Sequence, residues 1–532
     1  MDDGQSPDAL LSRRVFLSGA AAGVTALPLV IPAARMPRTR RGPRATLPDA
    51  AEVASVHGDP ADLGVLEAAA LLQARRLSSR ELTEACLTRI RRRDPLINAW
   101  VRVYPDLALD LAEQADARLA GAAVRRSGPA SALCGVPVGL KDLFAVAGRE
   151  LTAGSRVLTG HIAPGDSTAY ARLRGAGMPL LGHLQMAEFA FANDTPQTGN
   201  PYDPSRSPGG SSGGGGAALA ARTVPAALGT DTAGSVRLPS SACNTSAIKP
   251  TVGRVSTHGV IPLLWSYDHV GPMARSVADC ALLLSVMAGP DPRDPASLAR
   301  SPASHYPTVA RPGRTPLRGM RIGVLRVPDD PTLPPAIADV IERARGELAI
   351  LGATLVPVTP PADTIDTAAA AALTVEIDLY HRQFFPTRAD RYSPDVAERL
   401  AEYRAVALQA LAVDYLRFQR QRAQYICAWN DVFEAERLDA LVQTCVDHET
   451  PRRGGFGGWA VPTSAGETGP VEMWNKAGFP VVAVPAGMSA ATGMPIGIQL
   501  VGRPDGEAGL LQLAIDYQER NPYHLQPPAG LP

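Results

Sequence analysis

The chain has 532 residues, 45% hydrophobic and 20% charged, which supplies one large core or several ordinary ones and excludes wholesale disorder. Formal charge is zero and the pI is near 7.1, so no global field draws the protein to nucleic acid or to an anionic membrane surface. Six cysteines (Cys86, Cys134, Cys243, Cys280, Cys427, Cys445) form no C-x-x-C pair and no H-E-x-x-H occurs, which speaks against a zinc site, a dense disulfide framework and a metal enzyme.

Residues 12–17 read Ser-Arg-Arg-Val-Phe-Leu and lead into a weakly apolar, Gly/Ala-rich stretch from Ser18 to Ala34. Paired Arg13 and Arg14, mild hydrophobicity and small residues near Ile31-Pro32-Ala33 predict a bacterial twin-arginine export signal over residues 1–34. Pro28 and Pro32 interrupt the stretch, which disfavours a stable membrane span. The expected location is therefore extracellular or in the cell envelope, with membrane contact only in transit. Residues 35–60, rich in Arg and Pro and without apolar periodicity, are expected to be a linker, and residues 61–528 the folded domain.

From Leu63 to Arg93 apolar residues recur at helical spacing, interrupted at Leu77-Ser78-Ser79 with Glu81 behind, which predicts two helices and a new cap. A third helix is expected at 105–120, then a short buried strand from Gly135 to Leu140 ending at Lys141. Further buried strands are expected at 178–182, 224–229, 321–325, 354–359, 439–443, 480–485 and 496–501, alternating with helices near 168–175, 216–222, 334–351 and 506–518. That alternation predicts an α/β layered fold on a mostly parallel or mixed sheet. Residues 290–318 suggest a surface excursion and 362–435 a helical cap.

Of 52 basic residues only three are lysine: Lys141, Lys249 and Lys476. Arginine cannot give up its proton in a protein, whereas a desolvated lysine can, so the chain has few possible amine bases. Residues 207–216 read Ser-Pro-Gly-Gly-Ser-Ser-Gly-Gly-Gly-Gly, and 229–239 read Gly-Thr-Asp-Thr-Ala-Gly-Ser-Val-Arg-Leu-Pro. Small residues let main-chain amides converge on one point, as stabilising an oxyanion requires. Glycine also admits backbone conformations closed to other residues, here at Gly210-Ser211.

These two segments, with Gly135-Val136-Pro137-Val138-Gly139-Leu140-Lys141-Asp142 upstream, resemble the amidase signature family. The likeness runs from about residue 62 to 520 and includes Lys249-Pro250-Thr251-Val252-Gly253-Arg254 and Gly497-Ile498-Gln499-Leu500-Val501-Gly502-Arg503-Pro504. It implies a three-layer α/β/α fold around a large mixed sheet, and an amidase that needs no cofactor and cleaves a small-molecule amide through an acyl-enzyme. It also implies roles: Lys141 as base, Ser211 as bridging hydroxyl after a cis peptide bond from Gly210, and Ser235 as nucleophile. The backbone amides of Thr232, Ala233, Gly234 and Ser235 would form the oxyanion hole. Ser212 would help to hold the lysine, and Asp231 and Arg237 would brace the nucleophile loop. Ala233 departs from the pattern, since many members carry glycine there, but it keeps its amide. Hydrolysis of related esters or carbamates is an expected side activity.

The chemistry sets its own condition. At the usual lysine pKa of about 10.4, roughly one amine in a few thousand is neutral at pH 7. A shift of about three units is worth around 4 kcal/mol, which burial can supply.

Other readings of the same residues are weaker. Gly209-x-Ser211-x-Gly213 satisfies the G-x-S-x-G elbow of another hydrolase fold, but Asn200 to Pro208 cannot be the strand that elbow requires. Ser246-Ala247-Ile248-Lys249 satisfies S-x-x-K without its companion motifs, and Gly213-x-Gly215-x-x-Ala218 lacks the preceding strand of a dinucleotide site. Lys249 is expected to brace a loop, Lys476 to do the same or to border the substrate cleft, and His161, His183, His258 and His269 to be structural or solvated. Segments 362–470, 189–194 and 261–268 are expected to shape the pocket, with Trp265, Phe456 and Trp459 as apolar lining or core. A non-catalytic binding protein and a component of an amidotransferase remain rival functions; the intact Lys141, Ser211 and Ser235 argue against the first and the expected export against the second. No basic tract with aromatics supports nucleic-acid binding, and the oligomeric state is left open, a homodimer among the options.

Overall fold

Short runs of valine, leucine, alanine and glycine, buried along their whole length, supply the central strands of the sheet, as strands covered on both faces should. The computed structural model describes residues 46–56, 58–124, 130–298, 306–325, 333–363, 365–454 and 470–531. Among these, eleven strands pair into one mixed sheet: β1 (Trp100–Val103), β2 (Val138–Lys141), β3 (Leu180–Leu184), β4 (Ala226–Asp231), β5 (Ser246–Lys249), β6 (His269–Ala274), β7 (Arg321–Leu325), β8 (Thr354–Val358), β9 (Ala440–Thr444), β10 (Val481–Met488) and β11 (Pro495–Val501). Their spatial order is β1-β3-β2-β4-β6-β5-β10-β11-β9-β7-β8. The expected α/β fold on a large mixed sheet is the one the chain adopts.

Strands β2, β3 and β4 run parallel, with Val138 opposite both Leu180 and Ala226, and Leu140 opposite Leu228. This register brings the carboxyl ends of β2 and β4 side by side, so Lys141 closes one strand next to the end of another. The antiparallel neighbour β6 pairs with β4 along its length, from Ala226 opposite Ala274 to Asp231 opposite His269. The loop leaving β4 carries one of the glycine- and serine-rich segments, and the connection that follows β3 carries the other.

The amino-proximal helices are α1 (Ala50–Val56), α2 (Val65–Gln73), α3 (Ser79–Ile97), α4 (Pro105–Val124) and α5 (Thr168–Ala176). The expected cap of α3 is a capping box: Glu81 N donates to Ser78 Oγ at 3.1 Å and Ser78 N donates to the Glu81 carboxylate at 2.8 Å. Helix α1 lies within the stretch expected to be a linker: Val53 is buried, and Leu47, Ala50 and Ala54 pack on the main core. Its contacts are mostly alanine-sized, which leaves too faint an apolar period to be read. The 1–34 segment lies outside the described residues.

Beyond them come α6 (Gly213–Ala220), α7 (Arg237–Ala242), α8 (Val277–Met287) and α9 (Pro335–Ile350). The 362–435 region is helical as expected: α10 (Thr367–Ala371), α11 (Thr374–His381), α12 (Pro394–Gln409) and α13 (Ala412–Ala435). These four cover a second apolar cluster in which Ile365, Leu373, Tyr403 and Phe418 meet Phe189, Phe191, Leu263 and Ala233. The segments expected to shape a pocket thus converge beside the loop that follows β4. Helices α14 (Met473–Ala477) and α15 (Glu507–Arg520) complete the chain.

Candidate active site

Lys141, the last residue of β2, is 1% exposed. Its Nζ donates to Ser211 Oγ at 2.7 Å and to Thr230 Oγ1 at 2.8 Å, both hydroxyls buried. Burial pulls its pKa down from the ordinary lysine value to about 7, against the opposing pull of the Asp268 and Asp231 carboxylates. An amine poised near neutrality is half uncharged at physiological pH, the condition for a base. Next to it, Asp142 anchors the strand end by accepting from Arg102 Nη2 at 2.6 Å and from Thr152.

Ser211 follows a cis peptide bond from Gly210, and its carbonyl accepts from Ala187 N at 3.1 Å. Ser212 N donates to the carbonyl of Ser235 at 3.2 Å, which fixes the two serine segments to each other. The Ser212 hydroxyl donates to the carbonyl of Thr230 at 3.2 Å, so it secures the end of β4, and the second hydroxyl on the lysine is that of Thr230. Helix α6 begins at once, and its glycines allow close approach: a Cβ on Gly214 would stand 2.5 Å from the Gln185 backbone.

The loop of residues 231–237, which carries the expected nucleophile Ser235, is held by a buried ion pair. Arg237 donates through Nε to Asp231 Oδ2 at 3.0 Å and through Nη2 to Asp231 Oδ1 at 2.9 Å, with neither side chain exposed. Arg237 holds the Asp231 carboxyl well below the usual carboxylate range despite burial. Asn475 on α14 donates to both the Asp231 carbonyl and Oδ1 at 2.9 Å and accepts from Arg237 Nη2 at 2.6 Å. With every partner hydrogen-bonded, this buried network fixes one loop conformation.

Asp231 also reaches forward to accept Gly234 N at 2.8 Å and Val236 N at 3.2 Å. Of the four expected oxyanion donors, Gly234 therefore commits its amide to the loop's own brace. The amides of Thr232, Ala233 and Ser235 meet no acceptor among the described residues. Gly234 has φ +109°, and a Cβ there would stand 2.8 Å from Val471 Cγ2, so only glycine fits.

Three site residues have no counterpart in the sequence reading: Thr230, Asn475 and Asp268. Asp268 accepts Thr232 Oγ1 at 2.5 Å and Leu263 N at 2.9 Å, and burial raises its pKa to about 7. The remaining lysines brace as expected: Lys249 Nζ donates to the carbonyl of Phe479, and Lys476 pairs with Asp363 and lies 5.0 Å from the Tyr425 ring centre. Ser246 and Lys249 lie three apart on strand β5, where their side chains point to opposite faces. His183 is locked between Tyr104 and the Phe144 carbonyl, and His269 lies against the Tyr267 carbonyl. Trp265 is 46% exposed, neither core nor enclosed lining; Phe456 and Trp459 lie outside the described residues.

Beside the cis peptide opens a cavity of about 430 Å³ whose walls include Gln185, Ala187, Phe191, Asp194 and Val396. A hollow of about 480 Å³ around Arg222 and Arg275 shares no residue with the site.

The family model described as Amidase matches residues 81–511. A glutamyl-tRNA(Gln) amidotransferase subunit from Myxococcus xanthus is 39% identical over 503 residues, covering 87% of this chain and 98% of that protein. Among solved structures, peptide amidase from Stenotrophomonas maltophilia is 30% identical with TM-score 0.71, over 87% of this chain and 98% of its own. A 6-aminohexanoate cyclic dimer hydrolase is 28% identical with TM-score 0.75, over 88% and 99%. The amidotransferase relatives overturn the expected export: proteins named for a glutamyl-tRNA act on a molecule of translation, and an extracellular or cell-envelope address with a twin-arginine signal does not fit them.

Proposed function

The chain belongs to the amidase signature family and acts on carbon–nitrogen amide bonds, and from that premise we propose that it hydrolyses a carboxylic amide through an acyl-enzyme on Ser235. The observation that carries the reading is the buried contact of Lys141 Nζ with Ser211 Oγ. In its uncharged form Lys141 takes the Ser211 proton while Ser211 takes that of Ser235, whose oxygen attacks the amide carbonyl. Negative charge gathers on the carbonyl oxygen, and the open amides of Thr232, Ala233 and Ser235 are the donors within the same loop. The proton then returns from Lys141 through Ser211 to the departing nitrogen. That delivery matters because the nitrogen can leave as a neutral amine but not as an amide anion. Water, activated by the same relay, cleaves the ester left on Ser235.

Phe189, Phe191, Leu263 and Ala233 share one apolar cluster beside the loop, which favours an acyl or amine group with apolar surface. The testing experiment is amine or ammonia release by the purified chain alone from a panel of aryl, aliphatic and peptide amides. Turnover that disappears in Ser235→Ala supports the reading; unaltered turnover in that variant rejects it.

A second reading is favoured by the curated relatives: the same chemistry freeing ammonia for a partner protein. A chain that releases no amine alone, yet does so once a partner is added, would support this alternative.

A further inference from the structure

We infer that Asp268 is a positioning residue for the reaction: its carboxyl group holds Thr232, the first donor of the nucleophile loop, in place against the segment at Leu263. The inference rests on the Lys141–Ser211–Ser235 reading above and adds a residue that reading does not use.

The geometry is specific. Asp268 is buried just before β6, and its two oxygens serve two different segments. Oδ1 accepts the hydroxyl of Thr232 at 2.5 Å, and Oδ2 accepts Leu263 N at 2.9 Å. Thr232 directly follows β4, so its hydroxyl fixes the orientation of the loop as it leaves the strand. Leu263 belongs to the apolar cluster shared with the cap and with Ala233. One carboxyl group therefore ties the donor loop to that buried cluster. An amide that must sit within a few tenths of an ångström of a developing oxyanion benefits from such a tie.

The charge has a second effect. Asp268 is the leading electrostatic opponent of burial at Lys141, with Asp231 behind it. The charged groups that act with Asp268 are Lys141 from β2, on which Asp231 from β4 also bears, and Glu376 from α11, which accepts Tyr415 OH at 2.7 Å. The adjacent His269 is engaged with the Tyr267 carbonyl, and Arg422 stacks 4.7 Å from the Tyr267 ring centre. Protonation of Lys141 during attack creates a buried cation, and Asp268, itself raised to about 7 by burial, favours that cation to the extent that it is ionised. Without that charge the lysine would lose its proton more readily but accept one less willingly.

The test compares Asp268→Asn, Thr232→Val and Thr232→Ser with wild type, by kcat and KM across pH and by thermal unfolding. Asp268→Asn is expected to lower kcat about tenfold to a hundredfold with KM within about twofold, and to move the acid limb of kcat/KM to lower pH. Thr232→Val is expected to lose kcat similarly without that displacement, and Thr232→Ser to recover most of it. A purely structural role for Asp268 would lower the unfolding temperature and raise KM along with the fall in kcat while leaving Thr232→Val near wild type, and that result overturns the inference, as does wild-type kcat in Asp268→Asn. Should Asp268→Asn not fold, equal kcat in Thr232→Val and wild type overturns it instead. Inactive Ser235→Ala with an unaffected Asp268→Asn sinks this inference alone; active Ser235→Ala sinks the reading beneath it.

Discussion

Lys141 Nζ stands 2.7 Å from Ser211 Oγ with both groups buried, so a proton can pass between them without meeting bulk water. With Lys141 held near 7, kcat/KM should rise tenfold per pH unit below about 7 and level off above it. The measurement is a pH profile of initial rates on a neutral amide. Lys141→Arg should fall by roughly a thousandfold and stay low at every pH, because a guanidinium cannot be discharged.

A lysine discharged by burial weakens the fold. The folded pKa of Lys141 is lower than the unfolded one, so between about 7 and 10.5 the unfolded chain binds more protons and stability rises with pH. Lys141→Met should therefore melt later than wild type at pH 7, by roughly 2 kcal/mol after allowing for the bonds lost at Ser211 and Thr230. The advantage should shrink as pH rises toward 10, which denaturant titrations at pH 7 and 9.5 would resolve.

The Asp231–Arg237 pair stabilises the fold instead, though stability again rises with pH across its own window. Asp231 is held below its unfolded pKa of 3.8, so its stabilisation is complete above that value and fades as pH falls through the folded pKa. Arg237→Met strands a buried carboxylate and should cost about 3–5 kcal/mol at pH 7. In urea unfolding the gap to wild type should close as the acid range is entered.

Gly234→Ala tests the donor loop from another side. Its φ of +109° and the 2.8 Å approach to Val471 mean that a methyl group must displace the loop. A fall in kcat of about a hundredfold is expected with KM little changed, since the donors act on the transition state.

Much of the site is legible in the sequence because its chemistry sits on compact signals. The run from Gly135 to Lys141 announces a buried strand with a lysine at its end, and the glycine-serine segments announce a site for converging amides. Other strands are hidden by composition. β1 carries Arg102, whose charge is matched by Asp142 and Glu150, and β6 contains Pro272, a residue foreign to central strands. Pro272 is tolerated because β5 pairs with β6 only at Met273 and Ala274, leaving it beyond the ladder on that side. Thr230 escapes notice because threonine in a strand is unremarkable; only the register of β2 against β4 brings it to the lysine. Asn475 and Asp268 act across long stretches of chain, and no local pattern marks such partners. The amino-terminal pattern misleads, since a pair of arginines ahead of small apolar residues is weak evidence beside likeness to an amidotransferase subunit over 87% of this chain and 98% of that protein.

The claim on which the rest depends is that the acyl group rests on Ser235. Rapid acid quenching of the enzyme during turnover of an activated ester or anilide, followed by peptide mass mapping, reads this directly. The expected result is an acyl mass on the peptide bearing Ser235, accumulating in wild type and absent from Ser235→Ala. An acyl mass on Ser211 instead, or undiminished turnover in Ser235→Ala, would contradict the account.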